Sequence, residues 1–135
     1  MATLDPAKTW SLNYRMLMSV IAGVAPGIAE LGLEVKELFL LAEVEGHPYP
    51  AELSCTLGMP KPTVTVYLKR LEARGFLRRE IDPADLRRHR LALTPTGRKA
   101  TAKGLALLWD AFGARLDRLT AAERATLQRL LEKLA

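Results

Sequence analysis

Eight side chains in the middle of this sequence share a chemistry of recognition rather than catalysis. Lys61, Thr63, Thr65, Val66, Lys69 and Arg70 fall close together, and Arg87 and Arg88 follow in a polar run. The hydroxyls of Thr63 and Thr65 can bond base edges or phosphate oxygens. Lys61 and Lys69 can reach phosphate or guanine, and Val66 offers only apolar contact, for instance to a thymine methyl. A turn that ends in two arginines has the shape and charge to enter a minor groove. The set suits a polyanion whose edges carry donors and acceptors, and duplex DNA is such a molecule.

Those residues need elements to hold them. Ala51 to Leu57 reads as a short helix, with Leu53 and Leu57 one turn apart and facing a core. Gly58 supplies the positive φ that lets the chain leave it. Pro62 suits the first position of the next helix, and Lys61 before it is expected outside helical geometry. Val64, Leu68 and Leu71 then form an inward face with Tyr67 at its flank, and the recognition residues point outward. Gly75 stops this helix. Phe76 to Ile81 reads as a strand and Arg90 to Leu93 as its partner, with Leu91 and Leu93 on one face. Between them lies the turn containing Asp82, Asp85, Arg87 and Arg88.

The flanks read as helices. Asp5-Pro6 opens the first by capping. Its apolar stripe runs through Trp10, Tyr14, Leu17, Ile21, Val24, Ile28 and Leu31. Pro26 is expected to bend it, and Gly32 to end it. Leu33 to Val44 reads as a second helix with Val35, Leu38, Phe39, Leu41 and Ala42 inward. Thr94-Pro95 repeats the start signal for a long fifth helix carrying Leu105, Leu108, Trp109, Phe112 and Leu116. Thr120 and Glu123 form a capping box for a last helix striped by Leu127, Leu130, Leu131 and Leu134. The chain, residues 1–135, reads as one mainly α domain with a small β-hairpin.

Charge placement supports the polyanion reading. Between Lys61 and Lys103 twelve cations face four carboxylates, a surplus of eight, while the whole chain carries only +5. The remainder is therefore mildly acidic, and the basic middle is an electrostatic footprint. An ordinary solvated surface is the competing account of the same charges. Cys55 is the only cysteine, so an intramolecular disulfide is impossible and a reducing cytoplasm is the simplest setting. The start lacks the pattern of a signal peptide, and charges are expected to interrupt every apolar run short of a membrane span. No nucleophile has an adjacent base, no carboxylates pair in an apolar setting, and His47 and His89 lack a second ligand at metal spacing. Neither an enzyme, a metal nor a cofactor is expected.

Taken together, the middle of the chain resembles the winged helix-turn-helix core of the MarR (multiple-antibiotic-resistance regulator) family. The resemblance rests on Leu53 with Leu57-Gly58, Thr63-Val64-Thr65, the run Arg70 to Gly75, the turn Asp82 to Arg88, and Leu93-Thr94 with Gly97. It implies a transcriptional regulator, usually a repressor, acting as a homodimer on a pseudo-palindromic operator. Release by a small phenolic or lipophilic effector is implied as well. Residues 33–94 would be the DNA-binding core, and 5–31 with 95–135 the dimerisation helices. Asp85 and Arg87 match the acidic and basic pair of the family's wing, where the carboxylate steadies the loop and the guanidinium meets the minor groove.

Three departures stand out. Pro60 replaces a capping serine, Val66 stands where a basic reader is common, and Cys55 does not match the cysteine of the peroxide-sensing members. Several alternatives stay open at this point. Trp10, Tyr14, Trp109 and Phe112 would line an effector pocket or be core or dimer interface. Arg87 and Arg88 would meet DNA or pair locally with Asp82 or Asp85. A winged-helix module that binds protein is the rival to DNA binding.

Overall fold

Asp5 opens the first helix as expected, its Oδ1 accepting from the amide of Ala7 at 3.0 Å. The computed structural model describes residues 4–135. Its elements are α1 (Pro6–Glu30), α2 (Val35–Glu43), α3 (Pro50–Leu57), α4 (Lys61–Ala73), β1 (Leu77–Ile81), β2 (His89–Leu93), α5 (Pro95–Leu116) and α6 (Ala121–Leu134). The strands pair antiparallel, with Leu77 opposite Leu93 and Ile81 opposite His89. The architecture is the expected one: mainly α, with a two-stranded hairpin forming the wing of a winged helix-turn-helix.

The chain divides into two compact units, and the divisions fall inside α1 and α5 rather than between elements. One unit runs Ala25–Ala106. Its core is Ile28, Leu33, Leu38, Leu40, Leu41, Val44, Leu53, Val64, Leu68, Leu71, Phe76, Leu77, Leu91 and Leu93. α3 packs on α2 and α4, and α4 on β1. The other unit combines Met1–Val24 with Leu107–Ala135. Here α6 buries no residue at all. Its start is held by the expected capping box: Glu123 N donates to Thr120 Oγ1 at 3.2 Å, and Thr120 N to Glu123 Oε1 at 2.9 Å.

Several expectations need correction. α2 begins at Val35, two residues late, because the Glu37 carboxylate accepts from the amide of Glu34 at 2.8 Å and fixes the helix start there. Its inward face is Glu37, Leu38, Leu40, Leu41 and Val44, whereas Phe39 is half-buried and Ala42 exposed. A run of consecutive apolar residues does not determine its own helical phase. Lys61 is the first helical residue of α4, not a non-helical one, with Pro60 as the cap and Pro62 inside the first turn. α1 continues through Pro26 to Glu30, a continuity compatible with the expected bend. It is also long and apolar enough, by length and composition alone, to cross a membrane. The expectation that charges interrupt every such run fails because Met16 to Ala29 carries none.

Two glycines fix the frame around α4 and β2. Gly58 ends α3 at φ 63° in open space, so a side chain there would meet only the conformational penalty. Gly97, in the first turn of α5, is different. A Cβ there would lie 1.9 Å from the carbonyl oxygen of Phe76. That carbonyl also accepts from the amide of Thr94 at 3.1 Å, so neither backbone can retreat cheaply. Gly97→Ala is expected to cost about 3 kcal/mol through overpacking. Gly58→Ala is expected to cost about 1 kcal/mol through the left-handed backbone. Urea unfolding at one fixed protein concentration checks both, and equal losses would contradict the close-approach account.

Candidate nucleic-acid interface

α4 is anchored by Val64, Leu68 and Leu71, each essentially without solvent contact. That face fixes which residues point out. Lys61, Thr65, Val66, Lys69 and Arg70 are exposed and Thr63 is half-buried, so the sequence-derived set shares the solvent side of one helix. The Thr65 hydroxyl donates to the Lys61 carbonyl at 3.0 Å, which leaves its oxygen as an acceptor. Lys61 and Lys69 form no ion pair among the described residues. Arg70 does: its Nη2 lies 2.9 Å from Glu34 Oε1, and its guanidinium sits 5.4 Å from the Tyr67 ring centre. The hydrogen bond from Arg70 lowers the pKa of Glu34.

A second carboxylate anchors the same helix. Glu37 is fully buried and takes Arg74 Nη1 at 3.2 Å, so α4 is tied to α2 by polar contacts at its C-terminal end as well as by its apolar face. Removing one partner of such a pair would leave a buried charge uncompensated. Sequence reading had not singled out Glu37, whose partner is far along the chain.

The wing has its own internal scaffold, and Asp82 is its centre. Only 2% exposed, Asp82 accepts from the Tyr49 hydroxyl, from Ala84 N at 2.8 Å and from Arg88 Nε at 2.9 Å. The Arg88 guanidinium also lies over the Tyr49 ring, 4.0 Å from its centre. Tyr49 caps α3, and next to it the Pro48 carbonyl accepts from Leu91 N of β2 at 2.8 Å. The wing is thereby fastened to the entrance of the helix-turn-helix. Neither Tyr49 nor Asp82 was among the sequence-derived site residues. The acidic turn was visible, but the tyrosine lies 33 positions away and no local pattern links them.

Asp85 and Arg87 sit further out. Asp85 Oδ1 accepts from Arg87 N at 3.0 Å and from Arg87 Nε at 3.2 Å. The first of these closes a side-chain turn at the tip. Arg87 itself is 91% exposed, so its Nη groups project freely. The two arginines therefore divide: Arg88 braces the base and Arg87 reaches outward. The remaining basic residues of the hairpin are paired on its surface, Arg90 and Arg78 with Glu80, and Arg79 with Glu72.

The four aromatics weighed as an effector pocket lie in the unit of Met1–Val24 with Leu107–Ala135. Trp10, Tyr14 and Trp109 are exposed and Phe112 is half-buried. A hollow of about 250 Å³ in that unit is lined by Met16, Phe112, Leu116, Leu119 and Leu127 with Arg115 and Arg118, without the other three aromatics. Cys55 is exposed, and no cluster of metal-ligating side chains occurs among the described residues.

A family model described as the MarR family matches residues 31–88. The transcriptional regulator HosA of Escherichia coli O111:H- is 36% identical over 74 residues, which cover 55% of this chain and 55% of that protein. The match thus spans about half the length of that relative. The crystal structure of the Mycobacterium tuberculosis MarR family protein Rv2887 with salicylic acid superimposes with a TM-score of 0.76 at 27% identity, covering 100% of both chains. A mutant E. coli MarR complexed with operator DNA gives 0.76 at 24% identity, over 92% of this chain and 91% of that one.

The Asp82 contacts have a consequence in acid. The Tyr49 hydroxyl first, then the Ala84 amide, hold its carboxyl at about 2, against an ordinary 3.8. A depressed pKa contributes stability that is present above the ordinary value and lost as pH falls through the folded one. The wing base is therefore expected to loosen between about pH 4 and about pH 2. The amide resonance of Ala84 should titrate with a midpoint near the lower end, and Asp82→Asn should abolish that titration and broaden the wing amides at neutral pH. A midpoint near 4 would show that the three contacts do not hold in solution.

Proposed function

We propose that the chain is a MarR family member, as the family model over residues 31–88 supports, and that it is a sequence-specific DNA-binding transcriptional regulator acting as a homodimer. The observation that carries the proposal is Arg87, 91% exposed at the tip of a wing whose base is pinned by a buried carboxylate, on the same unit as the outward face of α4. A flexible arginine on a loose loop would lose much of its binding energy to ordering; one held on a braced hairpin loses less. In this reading α4 lies in the major groove and offers Lys61, Thr63, Thr65, Val66 and Lys69 to bases and phosphates. Arg87 enters the adjacent minor groove. Arg70 and Arg88 contribute only the N–H groups that their ion pairs leave free. That a mutant E. coli MarR of the same fold is complexed with operator DNA supports DNA as the partner.

Pairing is argued from the other unit. Trp10 is 72% exposed, and Tyr14, Leu17, Trp109, Leu130, Leu131 and Leu134 are exposed with it. Large apolar side chains left exposed on terminal helices are the kind of surface that marks an interface. We assign its cover to a second copy of the chain, which also accounts for the long apolar α1 without a membrane. The two copies would meet a pseudo-palindromic operator with matching symmetry, in a cytoplasmic repressor that blocks transcription while bound. Release by a small phenolic or lipophilic effector is the reading favoured by the salicylic acid complex of Rv2887. In the dimer the exposed Trp10, Tyr14 and Trp109 would belong to that interface or to an effector crevice.

Three measurements test this. Duplex affinity is expected to fall roughly a thousandfold between about 50 and about 200 mM salt if about six phosphates are contacted. A flat response would refute DNA binding by this basic surface. Arg87→Ala is expected to cost about 1–3 kcal/mol of operator affinity without loss of fold, whereas unchanged affinity would remove the wing tip from the interface. Sedimentation at micromolar concentration should give a dimer; a monomer would leave the apolar helices unexplained.

A further inference from the structure

The tip of the wing carries a side chain that neither the core nor the ion pairs of the hairpin employ. Arg88 N donates to the Asp85 carbonyl at 3.1 Å, which closes a turn whose two corner residues are Leu86 and Arg87. Turn corners commonly carry Pro, Gly, Asn, Asp or Ser, which favour the bend or bond to it. Leu86 does neither, and at 78% exposed it fills no apolar space. A lone exposed leucine is ordinary on a protein surface. This one differs in its place. Asp85 Oδ1 holds the backbone amide and Nε of Arg87, while Asp82 and Tyr49 draw Arg88 back to the base. One apolar and one cationic side chain are left side by side at the end of the hairpin, on a stiffened turn.

We propose that Leu86 is a specificity-determining residue that selects A·T over G·C pairs in the minor groove, by apolar contact with the groove floor beside Arg87. The inference rests on the DNA-binding reading above and deepens it. In the minor groove A·T and T·A present only acceptors, whereas G·C adds the N2 amino donor of guanine. Leucine has no acceptor to offer that donor. The amino group also projects from the floor, so a leucine over it meets a bulge and leaves a donor unpaired, a loss of about tenfold. Over A·T the floor is open, and the leucine methyl groups gain by leaving water. Arg87 favours A·T for another reason, the stronger negative potential of a narrow groove. That attraction is screened by salt, whereas the leucine contact is not.

The test uses the full chain and a duplex recovered from a random pool. Each A·T pair is replaced in turn by G·C and by inosine·C, which keeps the major-groove edge of G·C but lacks the N2 amino group. At one pair in each half-site, G·C is expected to bind about tenfold more weakly than A·T, and inosine·C to recover binding to within about threefold of A·T. The difference should persist as salt is raised. Leu86→Met, still apolar, should keep it. Leu86→Asn suits a turn and can accept from an amino group, so it should bring G·C and inosine·C to within about threefold of each other with Arg87 in place. Absence of any pair at which inosine·C binds better than G·C would overturn the proposal. So would an undiminished preference in Leu86→Asn, which would assign the selection to Arg87 and groove width. Equal weakening of all three duplexes in Leu86→Asn would overturn it too, by making Leu86 a structural residue. Recovery of no duplex from the pool is a separate result, and it would overturn the DNA-binding reading itself.

Discussion

Burial of Val64, Leu68 and Leu71 is the constraint on which the rest depends. These three side chains follow one another about a turn apart on α4, so sinking them into the core fixes the rotation of the helix about its own axis. Every outward residue is then determined. If each contributes roughly 2 kcal/mol by leaving water, turning the helix by a single residue would forfeit several kcal/mol and bury Thr65 or Lys69 instead. The polar ties at the far end act in the same direction. Arg74 on buried Glu37 and Arg70 on Glu34 add little net stability as ion pairs, but they favour one register of α4 against α2. A surface able to read a groove needs that single orientation more than it needs extra affinity.

The wing solves a different problem. Two short strands are marginal alone, and the turn between them is rich in charge. Asp82 converts that charge into structure by collecting a tyrosine, an amide and an arginine around one buried carboxylate. The tyrosine comes from the cap of α3, so the device also sets the wing relative to the helix-turn-helix. Asp85 repeats the idea on a smaller scale by ordering the backbone beneath Arg87. The outcome is a division of labour between adjacent arginines that have identical side chains and opposite fates.

How much of this was legible in the sequence depended on range. Local signals transferred directly: Asp5 and the Thr120–Glu123 box cap their helices, Gly58 takes the left-handed turn, and the alternation of Leu91 and Leu93 marks the buried face of β2. The phase of α2 did not transfer, because Leu38 to Ala42 is apolar throughout and only the burial of Glu37 decides it. Lys61 entered the helix although a proline follows it, since the first turn tolerates what the interior would not. The partners of Glu37, Glu34 and Asp82 were invisible for a simpler reason. Each lies more than thirty residues away in at least one contact, and no spacing rule reaches that far. Arg70 therefore looked as free as Lys69 until its ion pair was seen.

Recognition, bracing and the proposed pairing amount to a single physical proposal: a rigid reading unit would be used twice on one duplex. Val66 supplies no hydrogen bond, so in that proposal one copy of α4 would read few bases and specificity would come from the pair. Selection of bound sequences from a random duplex pool tests that most directly. The account expects enrichment of two inverted half-sites, centred about one helical turn apart, roughly 34 Å, or a multiple of it. Enrichment of a single unsymmetrical site, or no enrichment at all, would contradict it.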